Sequence, residues 1–223
     1  LALTHQLNRA RGNDVYVAVS ARLNQQWSRV LGEGLHTISN GIEPDEYKLD
    51  ADFVPPSTSY LLTSGRICPE KNTLAAIHLA KEAGLPLFIA GPVSDAQYFE
   101  TIIKPELSDS VCHVGHLSQV QLKRYLKGAT ALLCTSSWIE PFGLSTLEAL
   151  ACDTPVIGFD TAIVPELRCE PLSQVIRNDA PKDIHSALAR ATLVKPGDCQ
   201  KFAGRFNFTQ TLEKYEQLYA RLH

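Results

Sequence analysis

The chain has 223 residues, a formal net charge of −3 and 44% hydrophobic residues. This is the composition of an ordinary globular protein that is long enough to bury a large core. The near-neutral charge argues against a nucleic-acid binder, because such proteins normally carry a basic surface. The sequence contains no methionine, so we expect it to be part of a longer protein.

Six cysteines lie at positions 68, 112, 134, 152, 169 and 199, with no C-x-x-C pair and no spacing typical of metal ligands. We therefore predict free thiols in a reducing compartment and no metal site. No apolar run approaches the ~20 residues that span a bilayer.

Short apolar runs alternate with amphipathic stretches of helical length along most of the chain. In chain order, the predicted strands are 15–19, 35–38, 60–63, 85–90, 111–115, 129–135, 155–159 and 175–176. The predicted helices are 21–31, 73–83, 96–103, 119–126, 144–152, 182–192 and 209–222. Strands that are apolar on both faces and alternate with helices predict an α/β fold, a doubly wound Rossmann-like parallel sheet with helices on both faces.

Residues 43–59 interrupt this alternation with a polar, acidic stretch that holds Pro44, Pro55 and Pro56. Such composition predicts a linker without helix or strand. Residues 1–42 are too few to bury their own faces, so we expect them to be the tail of a first domain. Residues 60–205 then form a Rossmann-like domain, and residues 206–223 a closing helix.

The first strand of that domain leads into Ser64-Gly65-Arg66-Ile67-Cys68-Pro69-Glu70-Lys71-Asn72. Ligands of open parallel sheets bind beyond the carboxyl ends of the strands. There, Gly65 permits close backbone approach, while Arg66 and Lys71 suit a diphosphate. The alternative is that both cations are solvated surface residues. Asn72 is predicted to cap the helix that begins at residue 73.

The segment 129–159 contains Glu140, Glu148 and Asp153 but no lysine or arginine. Pro141 and Gly143 are expected to keep Glu140 outside the following helix, in the crevice at the strand end. The backbone N–H groups of residues 143–146 would then be unpaired at the start of that helix, where they form an anion site.

Glu148 lies one turn into the same helix, flanked by Leu144, Leu147, Leu150 and Ala151, which are predicted to face the core. A carboxylate in apolar surroundings needs a partner, and the vicinal hydroxyls of a ribose or another sugar fit it. The alternative is an ordinary first-turn acid favoured by the helix dipole.

Several weaker signals bound the function further. His116 and Leu117 follow another predicted strand and could line the same crevice, although a single histidine is also a common structural residue. The sequence has no G-x-G-x-x-G motif and no P-loop, which disfavours dinucleotide oxidoreductases and P-loop NTPases. It has no G-x-S-x-G motif, which disfavours a serine hydrolase.

Two features of the sequence belong together: the segment 64–72, and the pair Glu140 and Glu148 with seven residues between them, within Glu140-Pro141-Phe142-Gly143-Leu144 and Glu148-Ala149-Leu150-Ala151-Cys152. Together they resemble the group 1 (family 4) retaining glycosyltransferases. Residues 14–20, Ser39-Asn40-Gly41-Ile42 and 206–222 also resemble that family's segments before the linker and its terminal helix. The resemblance implies a GT-B fold, in which two Rossmann-like domains face each other across a cleft. Residues 60–205 would be the donor-binding domain, and residues 206–223 would cross back to the first domain.

The resemblance also implies the catalytic roles. Arg66 and Lys71 would neutralise the donor diphosphate and stabilise the departing nucleoside diphosphate. Glu140 would contact hydroxyls of the transferred sugar. The departing phosphate oxygen would help to accept the acceptor's proton, and the anomeric configuration would be retained.

The implied nucleotide-binding residues surround this group. Glu148 would hold the ribose hydroxyls, and His116 and Leu117 would border the base. The remaining donor-binding residues are Gly65, Phe142, Gly143, Leu144 and Ser145, of which 142–145 would present backbone N–H groups. Asp153 stands where such chains usually have glycine, and we expect it to adopt the left-handed turn at the helix end.

The implied reaction is hexosyl transfer from a nucleotide-sugar donor, a UDP or GDP sugar, without a metal or other cofactor. The expected partners are a sugar, lipid-linked or polysaccharide acceptor and a first domain, in the same or another chain, that completes the cleft. The expected location is the cytoplasm, free or peripheral at the inner membrane face. The alternatives are a non-catalytic nucleotide-sugar-binding subunit and a GT-B phosphorylase or epimerase.

Overall fold

Two parallel sheets organise the computed structural model, which describes residues 14–32, 34–48 and 58–222. In chain order the strands are β1 (Val17–Ala18), β2 (His36–Thr37), β3 (Leu61–Ser64), β4 (Leu87–Ala90), β5 (Val111–Gly115), β6 (Ala131–Cys134), β7 (Val156–Gly158) and β8 (Ser173–Val175). Strands β1 and β2 form a two-stranded sheet, and the other strands form a six-stranded sheet in the order β5-β4-β3-β6-β7-β8.

The strand order reverses at β3. From β3 the chain winds outward through β4 to β5, then returns to β6 on the other side of β3 and winds outward through β7 to β8. All of these pairings are parallel. This is the predicted doubly wound α/β fold, and the crevice at the carboxyl ends of β3 and β6 is the place where such sheets bind ligands.

Helices connect the strands and cover both faces of the larger sheet. They are α1 (Ala21–Leu31), α2 (Thr73–Ala83), α3 (Ala96–Tyr98), α4 (Gln119–Gly128), α5 (Leu144–Ala151), α6 (Asp183–Ala191), α7 (Asp198–Ala203) and α8 (Phe208–Ala220). Helix α3 continues as a π turn over Phe99–Ile103 and a 3-10 turn over Lys104–Glu106. Further 3-10 turns are Pro44–Tyr47, Pro69–Lys71, Pro165–Leu167 and Gly204–Phe206.

Alternate residues of the central strands feed two separate apolar clusters, as the period of two in a strand requires. Leu62 and Leu132 pack with α5 and α7 in one cluster. Leu61 and Leu133 pack with α2 and α6 in the other. The sheet is therefore buried on both faces, which explains why its strands read as continuous apolar runs.

Three local predictions were wrong. The last strand is Ser173–Val175 rather than 175–176, and α7 was not predicted at all. The predicted linker contains the 3-10 turn Pro44–Tyr47, whose proline supplies a preset φ for the first turn residue. Residues 49–57 of the linker and 1–13 of the predicted first domain lie outside the described residues.

The two predicted helix-end residues had different outcomes. Asn72 precedes α2 but has a left-handed backbone, with φ 53°, and its side chain makes no capping bond, so the predicted cap was wrong. Asp153 has φ 62°, which confirms the left-handed turn expected after α5.

The segment before the linker is tied to the start of α8. Ile42 N–H donates to the Phe206 carbonyl over 2.9 Å, and Phe208 N–H donates to the Ile42 carbonyl over 2.8 Å. A Cβ at Gly41 would lie 2.7 Å from the Asn207 backbone, so only glycine allows this approach. The closing helix therefore begins beside the segment that precedes the linker.

Within the described residues, no helix is long and apolar enough to cross a membrane. The same residues contain no group of three or more His, Cys, Asp or Glu side chains that could hold a metal ion.

Candidate functional site

A pocket lies at the carboxyl ends of β3, β4 and β6, where the strand order reverses. Its walls include the residues that leave these strands and the charged side chains that follow them, namely Gly65, Arg66, Lys71, Ser136, Glu140 and Ser145. The predicted crevice therefore exists, and it collects residues from both sequence motifs.

Glycines allow the loops after β3 and β4 to touch. Gly65 N–H donates to the Ala90 carbonyl over 2.9 Å, and Gly91 N–H donates to the Gly115 carbonyl over 2.8 Å. A Cβ at Gly91 would lie 1.9 Å from the Gly65 carbonyl oxygen, and φ at Gly91 is 144°. The floor of the pocket is thus backbone in close contact, and a side chain at Gly91 would displace it.

Lys71 and Glu140 form an ion pair between Lys71 Nζ and Glu140 Oε1 inside this pocket. The Glu140 side chain is only 13% exposed, so the pair is shielded from solvent more than any ordinary surface pair. Trp138 Nε1 donates to the same oxygen, Oε1, over 3.2 Å. Both donors hold one carboxylate oxygen and leave the other without a partner among the described residues.

Backbone bonds hold the two motifs in this arrangement. The Glu70 carbonyl accepts bonds from Ser137 N–H over 2.9 Å and from Ser136 Oγ over 3.1 Å. On the other side, Glu140 N–H donates to the Thr161 carbonyl over 2.9 Å. The loop that carries Glu140 is therefore fixed to the Lys71 turn by contacts within the protein.

Arg66 lies at the rim of the pocket. Its side chain is 54% exposed and its guanidinium lies 3.5 Å from Glu70 Oε1. An exposed pair of this kind contributes about 0–1 kcal/mol, so the guanidinium can turn to another anion at little cost.

Glu148 lies on α5, half-buried, and its Oε1 accepts a hydrogen bond from Tyr47 Oη over 3.2 Å. Burial raises the pKa of this carboxyl, while the bond from Tyr47 lowers it. Of its predicted apolar neighbours, Leu147 and Leu150 are buried, but Leu144 is 47% exposed. The prediction that Leu144 faces the core was wrong because it stands at the first position of α5, beside the open pocket.

The start of α5 presents backbone donors, although fewer than predicted. Within the described residues, the N–H groups of Gly143, Leu144 and Ser145 have no backbone partner. The N–H group of Thr146 donates to the Gly143 carbonyl over 3.0 Å. Gly143 has φ 86°, a value that favours glycine. The Phe142 side chain is buried against Phe206, with ring centroids 6.0 Å apart, and anchors the loop.

His116 and Leu117 follow β5, two strands away from β6. His116 is exposed, and Leu117 packs against the apolar cluster that also contains Tyr47. Neither lines the pocket around Lys71 and Glu140.

Cys134 does line that pocket and contacts Thr146 Oγ1 over 3.4 Å. Burial raises the pKa of its thiol to about 11. The thiol stays protonated at neutral pH, and protonated thiols are poor nucleophiles.

Two residues of the site were missed from the sequence. Trp138 stands two positions before Glu140, and an aromatic residue so close to a candidate carboxylate was a usable signal. Tyr47 lies 101 positions from Glu148, inside the predicted linker, and no spacing rule joins them.

The fold and the pocket define a Rossmann-like unit whose topological switch point carries Arg66, Lys71 and Glu140, with Glu148 on the adjoining helix. Comparison with known proteins then gives the family. The profile of the family described as "Glycosyl transferases group 1" matches residues 49–203. The chain therefore belongs to the group 1 glycosyl transferases, which confirms the predicted resemblance and makes it a member of a transferase family of carbohydrate biosynthesis.

Individual relatives and solved structures are also similar to this chain. A glycogen synthase from Mycobacterium tuberculosis is 28% identical over 204 residues, which are 86% of this chain and 49% of that protein. The structure of AviGT4, a glycosyltransferase involved in avilamycin A biosynthesis, is 25% identical with a TM-score of 0.75, over 92% of this chain and 63% of its own. The structure of Anabaena HepE in complex with UDP-glucose is 15% identical with a TM-score of 0.84, over 99% of this chain and 66% of its own. The chain thus spans about half the length of the curated relatives it matches.

Proposed function

We propose that this chain binds a nucleotide-sugar donor in the pocket at the carboxyl edge of the sheet and forms the donor-binding half of a retaining hexosyltransferase. The meeting of Lys71 and Glu140, 69 positions apart in the sequence, carries this proposal. A cation suited to a diphosphate then stands beside a carboxylate suited to sugar hydroxyls.

The two cations serve the diphosphate. The Lys71 ammonium has three donors, so it can keep its bond to Glu140 while it binds a phosphate oxygen. Arg66 leaves its exposed pair with Glu70 and adds a second positive charge. Charge placed in advance where the leaving group becomes negative stabilises the transition state, so we propose no metal or other cofactor beside the donor substrate.

Glu140 serves the transferred sugar. Its Oε1 is held by Lys71 and Trp138, and we assign Oε2 to a sugar hydroxyl. The N–H groups of residues 143–145 at the start of α5 lie on the same side, where helix N-termini favour negative charge. With the departing phosphate oxygen as the acceptor of a proton from the incoming hydroxyl, transfer retains the anomeric configuration.

The nucleoside extends from the diphosphate toward α5 and β5. We assign the ribose hydroxyls to Glu148, because a half-buried carboxylate gains from neutral donors that pair with it. His116 and Leu117 at the end of β5 are assigned to the base, His116 being exposed and Leu117 half-buried.

Transfer itself needs more than the described residues, since the chain spans about half of its curated relatives. We propose a sugar, lipid-linked or polysaccharide acceptor, bound by a first domain in the same or another polypeptide. The glycogen synthase relative supports a polymer-forming reaction. The six free thiols support a reducing, cytoplasmic location.

Titration calorimetry with UDP, GDP and ADP and with their hexose derivatives tests the donor site. One nucleoside diphosphate is expected to bind. Lys71→Ala is expected to lower the affinity for it at least about tenfold, because a charge-assisted hydrogen bond is lost. Glu140→Gln should preserve diphosphate binding and remove the extra affinity that the sugar provides.

Lys81→Ala is the matched control, because Lys81 also pairs with a glutamate, Glu106, but lies on α2 away from the pocket. It should bind every ligand as the unmodified protein does. Failure of a folded sample to bind any nucleotide, or normal binding by Lys71→Ala, would refute the proposed function. Binding without transfer when the first domain is present would instead favour a non-catalytic subunit.

A further inference from the structure

Tyr47 reaches Glu148, the carboxylate assigned above to the ribose, from the segment that was predicted to be only a linker. It is the last residue of the 3-10 turn Pro44–Tyr47 and is 6% exposed. Its ring belongs to the apolar cluster that holds Leu147 and Ala151 of α5. The Lys123 ammonium lies 5.9 Å from the ring centroid and also donates to the Glu46 carbonyl. The ring is therefore clamped between α4 and α5 rather than mobile in a linker.

The hydroxyl of this clamped ring acts on Glu148. Tyr47 Oη donates to Glu148 Oε1 over 3.2 Å. Burial, then the Glu148 charge, raises the pKa of the phenol far above its ordinary value, while the Gln119 side chain opposes this. The phenol therefore stays protonated, and can donate this bond, at neutral pH.

The second oxygen of Glu148 has a different environment. Among the described residues, the side-chain atoms sealed from solvent without a partner are Asp153 Oδ1, Glu166 Oε2 and Ser173 Oγ. Glu148 Oε2 is not one of them, and no described residue binds it. Oε1 is thus fixed by Tyr47, while Oε2 has no partner among the described residues.

We propose that Tyr47 is a positioning residue for nucleotide recognition, which holds Glu148 Oε1 so that Oε2 accepts from a ribose hydroxyl of the donor. This rests on the proposed function and extends the donor site into the linker. A carboxylate with one oxygen fixed loses less rotational freedom when it binds, so the fixed geometry increases the discrimination in favour of ribose.

The test uses the full chain and calorimetry with UDP, GDP and ADP, each compared with its 2′-deoxy counterpart. We expect the unmodified protein to prefer the ribonucleotide. Tyr47→Phe keeps the ring but removes the hydroxyl. It is expected to weaken binding of the ribonucleotide about threefold to tenfold, the range of one ordinary hydrogen bond, because the hydroxyl acts on the ligand only through Glu148. The deoxynucleotide should bind nearly as before, so the preference for ribose shrinks.

Tyr60→Phe is the matched control. Tyr60 is equally buried, at 5% exposed, and its hydroxyl donates to the Tyr125 carbonyl over 2.7 Å, just before β3 and away from the pocket. It should leave the preference for ribose unchanged.

Each outcome decides the inference. The inference is overturned, while the proposed function stands, if Tyr47→Phe keeps the full preference for ribose. It is overturned likewise if Tyr47→Phe loses the same affinity for the ribonucleotide and for its 2′-deoxy counterpart. An unmodified protein that binds nucleotides without preference for ribose also overturns it. If the unmodified protein binds none of the nucleotides, the proposed function itself fails and this inference falls with it.

Discussion

At the scale of one residue, the half-buried carboxyl of Glu148 is the candidate ligand group whose protonation depends most on burial. Burial is the largest cause that raises the pKa of its carboxyl above the ordinary 4.5, and the bond from Tyr47 opposes the shift only in part. The folded chain therefore holds this proton more tightly than the unfolded chain. Stability then falls as the pH rises from 4.5 toward the folded pKa, and the loss is complete at higher pH.

We accordingly predict that Glu148→Gln stabilises the ligand-free protein at pH 7 while it weakens nucleotide binding. For a chain of this size each kcal/mol corresponds to about 2–4 °C in Tm, so the gain should be visible in scanning calorimetry. The gain should shrink on acidification and vanish below about pH 4, where glutamic acid is neutral in both states.

Glu213→Gln is the control, because Glu213 is exposed on α8 and the substitution removes the same charge. It should leave Tm unchanged at both pH values. A lower Tm for Glu148→Gln at pH 7 would mean that the carboxylate stabilises the free protein, contrary to the direction of its pKa shift.

At the scale of elements, the site depends on how closely the backbones at the ends of neighbouring strands approach one another. Strands β3, β4 and β5 each run into a glycine, and backbone bonds join Gly65 to Ala90 and Gly91 to Gly115. A Cβ at Gly91 would lie 1.9 Å from the Gly65 carbonyl oxygen. This oxygen belongs to the backbone, so it cannot rotate away as a side chain could.

Gly91→Ala is therefore predicted to destabilise the protein by at least about 2 kcal/mol, through backbone displacement and an unfavourable φ. The displacement is directed at Gly65 and hence at Arg66, so nucleotide affinity should fall as well. Urea unfolding followed by tryptophan fluorescence measures the first effect, and calorimetry measures the second.

Gly204→Ala provides the comparison, since an added Cβ there meets nothing within 4 Å. It should be neutral or slightly stabilising, because alanine loses less backbone entropy than glycine on folding. Equal effects of the two substitutions would contradict the role given to the close contact at Gly91.

The elements themselves were largely predictable, because each core strand is a short apolar run and each long helix has an apolar stripe. Helix α7, with six residues, is too short for its periodicity to stand out. The crevice was predictable from strand ends, which placed Lys71 and Glu140 at the same edge. The ion pair between them was not, because it depends on β3 and β6 being neighbours, and the sequence does not specify strand order.

At the scale of the whole molecule, the unit before the linker rests on the loops that carry the candidate site. Ser20 Oγ donates to the Pro141 carbonyl over 2.6 Å, next to Glu140. Ala21 N–H donates to Glu166 Oε1 over 2.5 Å, at the start of α1. Arg22 lies 3.2 Å from Asp160 Oδ2. These contacts place α1 against the loop that carries Glu140 and against the loop around Thr161, whose carbonyl accepts a bond from Glu140 N–H.

These contacts contribute different amounts of free energy to holding α1 in place. Asp160 is 65% exposed, so the pair of its carboxylate with Arg22 contributes about 0–1 kcal/mol. Arg22 is itself only 18% exposed and also donates to the Asp160 carbonyl over 2.7 Å. Ser20 is fully buried and makes two bonds, one to Pro141 and one from Leu23 N–H over 3.2 Å, which caps α1. Loss of a cap alone costs about 0.5–2 kcal/mol, and the lost bond to Pro141 adds to it.

Ser20→Ala should therefore lower the free energy of local opening of α1 by about 2 kcal/mol. This corresponds to roughly thirtyfold faster amide exchange in that helix. Hydrogen exchange followed by mass spectrometry should show this acceleration in α1, while β3 and β6 keep their rates because their cores are untouched. Gln26→Ala, the control, changes an exposed residue of α1 and should leave the α1 rates nearly unchanged. Unchanged α1 rates in Ser20→Ala, or equal acceleration in both variants, would contradict the role given to the buried serine.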